Sequence, residues 1–557
     1  MKRRWIRPGL LGLIAAELVV AALVLAWVFG DESPAPAANR AETTAVRIRS
    51  IAAAESLPPD VMGALQAWTD GQPGDWTWAE PGPAGVERAD LKIGDLQIGW
   101  QKRWGAWPLA QVVLVPVVPF PSLREEVAAA ALQRAWLGRP RDGDEPLRLL
   151  VASDAAAALE GLFGPMGAGA AVQIVPAGEL AGRLWQAPGA LGLVPFERLA
   201  PDLRALSVDG HSALDRDFDA AGYALLARIW GRGRDRDLED LAAAIEAAGA
   251  HTNRHPERMT ILIVTGVTAL TRGVAIQMEA RGDGAWPARQ VAGLLADADL
   301  THVSNEVSFL ADCAIEPGME AFCARPAYLE TLRLAGVDLV ELTGNHNLDR
   351  GPGPALYSLD LYAEAGMHTF GGGRTPAEAR QPLLLTHNGN RLAFLGYNRF
   401  GPDYAWASET RPGAARFSRP AMQADLARVR DQADLVFVHV QYTETYSVEP
   451  LPGQVDDFRA AVDAGADVVT GSQAHQPQAI EFYRGRPIFY GLGNLFFDQT
   501  WSAATRQGLV VRHVIYDGRL LSSQLIPTVM DGACQPWVAE PAERQAILEA
   551  VFAASGW

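Results

Sequence analysis

Short apolar runs alternate with helix-like, alanine-rich stretches along most of the chain. Apolar runs bounded by polar loops are typical of strands that are buried on both faces of a sheet. In the second half these runs occupy residues 260–264, 300–304, 339–343, 392–395, 435–440, 468–470 and 488–490. Helical stretches separate the runs, so the pattern predicts an α/β fold with a largely parallel sheet.

The region 44–235 has the same alternation. Residues 111–120 predict a buried strand with a proline exit, and residues 122–136 predict a helix. Ser122 at the predicted N-cap and Glu125 three residues later match a capping box. The first half is therefore predicted to be an α/β domain of its own.

The N-terminal segment has the pattern of a membrane anchor. Residues 9–30 are apolar except for Glu17, which is long enough to cross a hydrocarbon core of about 30 Å. Basic residues precede the segment, so we expect a single-pass protein with a cytoplasmic N-terminus and an extracytoplasmic bulk. Residues 35–37 also resemble a signal cleavage site, but the apolar run is longer than a signal requires. Residues 31–43 are predicted to be a linker.

Composition limits the classes of function. The 557 residues suit two or three domains. A net charge of −17 argues against nucleic acid as a partner spread over the whole surface. Three cysteines exclude a disulfide-rich scaffold. In an oxidising location Cys313 and Cys323 either form a disulfide or remain buried thiols, and the location favours the disulfide.

Polar residues follow several of the predicted strands. Glu306, Asn345, His439 and His475 lie at or just after the ends of four of them. The carboxyl ends of parallel strands meet at one edge of a sheet, so we expect these side chains to converge. Imidazole, carboxylate and amide donors together suit Mn, Fe or Zn.

Three blocks in the second half resemble the CapA family of capsule and poly-γ-glutamate synthesis proteins, relatives of calcineurin-like metallophosphoesterases. Residues 342–351 match its Asn-His-x-x-Asp-x-Gly block, and the other two blocks fall at 464–475 and 480–498. The resemblance implies a layered α/β sandwich over 259–530. A linker at 236–258 would precede it, and a helical segment at 531–557 would follow.

The same resemblance assigns roles to individual residues. It implies that Glu306, Asn345, His439 and His475 are metal ligands and that His346 is the catalytic imidazole. It also implies a substrate-binding role for Asn347, Asp349, Gln473 and Asn494.

The chain departs from the family pattern at positions that matter chemically. Val267 stands where the family has a bridging Asp, and Gln473 stands where it has an imidazole. The family's His-Trp-Gly block reads His439-Val440-Gln441. Two-metal catalysis needs a bridging anion between the ions. We therefore expect one divalent ion at most (Mn, Fe or Zn), or none.

A second resemblance concerns the first half. The segments 118–123 and 189–196 are similar to those of periplasmic solute-binding domains of the phosphate-binding kind. Ser153 and Asp154 follow a predicted strand there. They either bind an anion at a helix N-terminus or simply cap that helix, and capping is the commoner role.

These features support two hypotheses of function. One is an anchored phosphoesterase-type enzyme that acts on an envelope polymer or a phosphorylated precursor. The other is a non-catalytic envelope protein that binds a solute or an anionic, poly-γ-glutamate-like polymer. Loss of the bridging carboxylate at Val267 favours the second hypothesis over the first. Either one predicts the membrane as a partner and excludes nucleic acid.

Overall fold

A computed structural model describes residues 49–54, 57–72, 76–79, 91–95, 106–139, 141 and 147–557. The predicted membrane segment 9–30 and the linker 31–43 lie outside these residues. Within the described residues, none of the helices combines the length and the apolar character that crossing a bilayer requires.

The first half is built on one mixed sheet. Its strands are β1 (Arg49–Ala53), β2 (Trp76–Trp78), β3 (Leu91–Asp95), β4 (Ala106–Pro119), β5 (Glu126–Val127), β6 (Leu149–Ala152), β7 (Val172–Val175), β8 (Leu191–Pro195), β9 (Leu203–Ala205), β10 (Ser207–Val208) and β11 (Leu226–Arg232). Its helices are α1 (Pro59–Asp70), α2 (Ala129–Trp136), α3 (Ala156–Phe163), α4 (Leu180–Trp185) and α5 (Asp235–Ala247). The sheet order is β2-β1-β3-β11-β4-β8-β6-β7, with β9 also paired to β4 and β5 paired separately to β10.

The long strand β4 joins the two parts of this sheet. Residues 106–113 pair with β11 on one edge, and residues 114–117 pair with β8 on the other. The strand carries an almost unbroken apolar sequence because both of its faces are covered.

The predicted capping box at Ser122 is wrong. Helix α2 begins at Ala129, and the Ser122 hydroxyl accepts a hydrogen bond from the backbone N–H of Arg124 instead. Residues 126–127 pair as a strand with β10, which holds this segment extended. Pairing with a distant strand therefore overrides the local helix signal.

Helix α5 occupies the first part of the segment 236–258 that the sequence suggested as a linker. Its residues Leu238, Leu241 and Ile245 are fully buried in the core of the first half. Its charged residues Arg236, Glu239 and Asp240 lie on the exposed face of an amphipathic helix, whereas Arg254 and His255 of the same segment are buried.

The second half has two stacked sheets. Its strands are β12 (Met259–Thr268), β13 (Leu300–Asn305), β14 (Leu339–Glu341), β15 (His368–Phe370), β16 (Gly372–Gly373), β17 (Leu383–His387), β18 (Asn390–Asn398), β19 (Gly413–Ala414), β20 (Leu435–Gln441), β21 (Val468–Ser472), β22 (Ile480–Tyr483), β23 (Arg486–Phe489), β24 (Asn494–Phe496), β25 (Gln507–Tyr516), β26 (Arg519–Met530) and β27 (Pro536–Val538). Its helices are α6 (Arg272–Arg281), α7 (Ala292–Ala296), α8 (Leu329–Leu334), α9 (Pro352–Glu364), α10 (Pro376–Ala379), α11 (Arg419–Val429), α12 (Pro452–Asp463) and α13 (Pro541–Ala554).

The sheets run in the orders β15-β14-β13-β12-β25-β26-β27 and β17-β18-β20-β21-β23-β22. Alternate residues of each strand face the partner sheet and the flanking helices. Leu262 and Phe437 pack between the sheets, whereas Ile263 packs towards helices α6 to α9 and Val436 towards α11 and α12. The predicted α/β fold is confirmed, in an arrangement of helices, sheet, sheet and helices.

The two halves share a packed junction, and residues 49–557 form one compact unit. Phe120 from the first half makes edge contacts with Phe482, Phe552 and Trp557 from the second. Trp185 contacts Phe482 and Trp557 in the same cluster. Because α13 supplies Phe552, the C-terminal helix closes this junction.

A disulfide joins Cys313 to Cys323 in the loop that follows β13. Phe322, next to the second cysteine, stacks on the His346 ring with centroids 3.9 Å apart. Cys534 is a free, buried thiol. The disulfide thus restrains a loop that contacts a candidate site residue.

Replacing both Cys313 and Cys323 with Ser is expected to lower the free energy of unfolding by about 2–3 kcal/mol, because the bridge restricts the unfolded chain. Urea denaturation of the non-reduced protein measures this change. A Cys534→Ala variant is the control for cysteine loss alone. Equal stability of the wild type before and after reduction would contradict the prediction.

Candidate functional site

Four strands of the two sheets bring polar side chains to one edge of the sandwich. Glu306 follows β13, Asn345 follows β14, Gln441 ends β20 and Gln473 follows β21. The Gln441 side-chain amide donates to Asn345 Oδ1 at 2.7 Å, to Glu306 Oε1 at 3.2 Å and to Gln473 Oε1. All four side chains are buried. We call this cluster the rim.

The orientation of the Gln441 amide follows from its neighbours. The Trp406 indole N–H can only donate, and it donates to Asn398 Oδ1 at 2.8 Å. The Asn398 amide N–H therefore faces Gln441 and donates to its Oε1 at 2.8 Å. This fixes the Gln441 nitrogen towards Glu306, Asn345 and Gln473.

Glu306 is fully enclosed in the rim. Burial raises the pKa of Glu306 to about 8, with further repulsion from Glu341, Glu444 and Asp349 and a smaller opposing effect of Arg272. The carboxyl group is therefore predominantly neutral at pH 7, and its Oε2 has no hydrogen-bond partner. A neutral acid is a poor metal ligand.

His346 lies at the accessible side of the rim. Its Nδ1 is 2.7 Å from Asp349 Oδ2, and about a quarter of its side chain is exposed. Asp349 also accepts the Phe322 backbone N–H and the Tyr404 hydroxyl. Asp349 thus orients the imidazole and leaves Nε2 for a ligand or for proton transfer.

His475 packs beside the rim. Its Nδ1 is 2.9 Å from Asn494 Oδ1, and its ring stacks on Tyr446. Burial lowers the pKa of His475 to about 4, so the ring is neutral. Positive φ angles of 83° at Gln473 and 56° at His475 let this loop turn both side chains inward.

His439 belongs to a deeper cluster than the sequence suggested. Its Nε2 is 3.1 Å from Glu341 Oε2, and its ring centroid is 5.6 Å from that of His302. Burial lowers the pKa of both imidazoles to about 3 and raises that of Glu341. We call His302, Glu341 and His439 the inner triad.

His302 and Glu341 are absent from the predicted site because they lie inside strands whose neighbouring residues are mostly apolar. Period-two alternation was the available signal, since Leu300, Leu339 and Phe437 each precede a triad residue by two positions. Residues two apart on a strand face the same side, which here is the space between the sheets.

The predicted ligand set is divided between these clusters. Glu306 and Asn345 are in the rim, His475 packs beside it, and His439 is in the inner triad. Among the residues described, the inner triad is the set of three or more His, Cys, Asp or Glu side chains that lie close enough to share one ion. Its ligand atoms lie within 4.8 Å of one another.

The rim does not fit a two-metal centre. Val267, at the expected bridging position, is a fully buried strand residue without a donor. The oxygens that would face a cation instead accept hydrogen bonds from Gln441. Gln441, which stands where the family has glycine, thus fills the middle of the rim.

The other predicted substrate residues have mainly structural contacts. Asn347 donates to the backbone oxygens of Asn305 and Gly344, and Asn494 donates to those of His475 and Thr505. These bonds hold the loops that carry the rim.

A cavity of about 330 Å³ in the first half is lined in part by Ser153, Asp154, Glu197 and Arg198. Asp154 pairs with Arg198 at 3.0 Å, and neither Ser153 nor Asp154 caps α3. Burial raises the pKa of Glu197. The described residues that line the cavity include two carboxyl groups and a guanidinium that is already paired, so they supply no surplus positive charge for phosphate.

Comparisons with known proteins concern mainly the second half. Residues 261–499 match the family described as "Bacterial capsule synthesis protein PGA_cap". Capsule biosynthesis protein CapA of Bacillus anthracis is 28% identical over 217 residues, which cover 38% of this chain and 53% of that protein. PGA biosynthesis protein CapA of Bacillus subtilis strain 168 is 27% identical over 191 residues, which cover 34% of this chain and 50% of that protein.

Among solved structures, an ABC-type phosphate transport receptor from Vibrio cholerae aligns at 14% identity with a TM-score of 0.29, covering 36% of this chain and 95% of that one. The chain spans about half the length of the two CapA proteins. The family match includes the loops that carry Glu306, Asn345, Gln441 and Gln473. Residues 261–499 therefore form a domain of the bacterial capsule synthesis family to which the CapA proteins are similar.

Proposed function

We propose that this protein is an extracytoplasmic, membrane-anchored accessory protein of envelope polymer synthesis that binds an anionic polymer without hydrolysing it. The observation that carries the proposal is the Gln441 amide, which donates to Glu306, Asn345 and Gln473 at the place where catalytic ions would be needed. An amide nitrogen satisfies these oxygens but cannot act as a Lewis acid.

The disulfide between Cys313 and Cys323 supports the extracytoplasmic part of the proposal. Disulfides persist in oxidising compartments and are rare in a reducing cytoplasm. The anchor at residues 9–30 remains a proposal that rests on the sequence.

A basic, aromatic loop beside the rim supports polymer binding. Residues 399–419 contain four arginines and two acidic residues, whereas the whole chain has a net charge of −17. Of these arginines, Arg419 pairs with Asp457 at 2.5 Å and Arg399 lies 3.9 Å from the same carboxylate. Phe400 and Tyr404 are nearly half exposed, and the Arg416 guanidinium lies 4.1 Å from the Trp406 ring centroid. Arginines with adjacent rings suit a chain that bears carboxylates on an apolar backbone.

This loop is tied to the rim by two hydrogen bonds. Trp406 donates to Asn398, which donates in turn to Gln441, and Tyr404 donates to Asp349 beside His346. A polymer on the loop would therefore contact elements that are fixed to the rim. The polymer class that fits these groups is a polycarboxylate such as poly-γ-glutamate, the product suggested by the names of the CapA relatives.

Binding of the purified full chain to immobilised poly-γ-glutamate is expected to weaken about tenfold in the Arg399→Ala/Arg416→Ala variant, since two partly exposed charge contacts contribute roughly 0.7 kcal/mol each. Biolayer interferometry measures the affinity, which should also fall as salt screens the charges.

The Arg183→Ala/Arg484→Ala variant is the control, because it removes the same charge from exposed side chains outside the loop. Equal weakening in the control, or the absence of wild-type binding at low salt, would refute the polymer proposal.

Phosphodiesterase activity is expected to be absent. With Mn²⁺, Fe²⁺ or Zn²⁺, the wild type should release p-nitrophenol from bis(p-nitrophenyl) phosphate no faster than the His346→Ala variant. The physical reason is that Gln441 occupies the rim and Val267 offers no bridging ligand. Metal-dependent turnover that His346→Ala abolishes would establish the enzyme hypothesis instead.

The raised pKa of Glu306, about 8, predicts a pH-dependent stability. The folded protein binds a proton more tightly than the unfolded chain, so its stability falls as pH rises from about 4.5 to about 8. The neighbouring charges are Glu341, Glu444, Asp349 and Arg272.

Urea denaturation of the wild type and of Glu306→Gln at pH 5, 7 and 8.5 measures this effect. Glutamine keeps the oxygen that accepts from Gln441 and removes the titration. Relative to this variant, the wild type should lose on the order of 2–4 kcal/mol between pH 5 and 8.5. A difference that does not change with pH would show that Glu306 ionises normally.

A further inference from the structure

The inner triad brings together electron-pair donors without hydrogen-bond partners, in a part of the sandwich that is closed to solvent. His302, Glu341 and His439 are each at most 4% exposed. Glu341 Oε1 accepts the Thr343 backbone N–H, but Glu341 Oε2 has no hydrogen bond of acceptable geometry. The Nδ1 atom of His302 also lacks a partner.

Such a cluster is costly unless something satisfies it. A buried carboxylate oxygen or ring nitrogen without a partner destabilises the fold, and more so when the group is charged. The three residues lie on three strands, so no single local backbone feature explains why they meet. Either a shared proton or a cation would satisfy Glu341 Oε2, which faces His439 Nε2 at 3.1 Å.

We propose that His302, Glu341 and His439 hold one divalent metal ion of the zinc class between the two sheets. Two imidazoles and one carboxylate are a recurrent donor set for zinc. The 3.1 Å between His439 Nε2 and Glu341 Oε2 is close to the edge of about 3.3 Å between two ligands of a tetrahedral zinc ion. Ser472 Oγ, 3.1 Å from the same nitrogen, is the nearest fourth donor.

This ion would link the two sheets. His302 on β13 and Glu341 on β14 belong to one sheet, and His439 on β20 belongs to the other. Gln441 lies two residues beyond His439 on the same strand and the same face. The ion would therefore fix the sheet spacing directly beneath the rim. Enclosed by protein on all sides, it would be structural and not catalytic.

The test is the metal content of the full chain, purified from zinc-supplemented cells and measured by inductively coupled plasma mass spectrometry. One equivalent per chain is expected. His302→Gln and Glu341→Gln should each lower the affinity more than about 100-fold, since even second-shell changes cost 10–100-fold. Glu306→Gln and His475→Gln alter the neighbourhood of the rim and should retain the ion.

Because the triad is buried, a variant could lose metal simply by failing to fold. Far-UV circular dichroism and the Cys313–Cys323 disulfide identify folded variants. A second measurement uses only the wild type: EDTA should leave the ion in the native protein, and guanidinium unfolding should release one equivalent to a chromogenic chelator.

Two results together would overturn the proposal and leave a shared proton as the explanation. The wild type would contain less than one equivalent of metal, and refolding with Zn²⁺ or Co²⁺ would not raise its unfolding temperature. An ion retained by folded His302→Gln but lost from His475→Gln would lie at the rim. That result would overturn the proposed metal site in the inner triad and would also weaken the proposal that the protein does not hydrolyse its polymer. Phosphodiesterase activity with the ion still in the triad would contradict only the second of these proposals.

Discussion

The structure of the second half depends on one constraint, which is the narrow space between its two stacked sheets. Near the amino ends of β13, β14 and β20 this space is filled by Leu300, Leu339 and Phe437. Two residues further on, the same strands place His302, Glu341 and His439 there. At the strand ends come Glu306, Asn345 and Gln441. Each polar group taken from water must find a partner in this narrow layer, so its chemistry is set by the strand opposite.

At the rim the partner is an amide. Gln441 bonds to three oxygens, and its own orientation is imposed by Asn398 and Trp406. Each hydrogen bond in this chain has only one possible donor and acceptor, which makes the rim rigid and electrically neutral. This neutrality agrees with the protonated state of Glu306 at pH 7, because no full positive charge lies within the rim to favour the carboxylate.

Much of this arrangement could be predicted from the sequence. The apolar runs mark the principal strands, and the blocks around Asn345 and His475 identify the family. The sequence also shows Val267 where a carboxylate is expected. It could not reveal that the Gln441 amide bonds to Glu306, Asn345 and Gln473, because these partners follow strands that are distant in the sequence. His302 and Glu341 are visible only once one knows which face of each strand is turned to the other sheet. Pairing with a distant strand likewise overrode the local helix signal at Ser122.

The continuity of β4 has a consequence for how the first half can move. The ladder with β11 ends at Val113 and the ladder with β8 begins at Leu114, so the two groups of strands meet at one step of the β4 backbone. A bend at this step would leave the paired residues of both ladders together, whereas a bend within either ladder would break hydrogen bonds that contribute about 1 kcal/mol each. Any relative movement of the two strand groups would therefore be concentrated at this step.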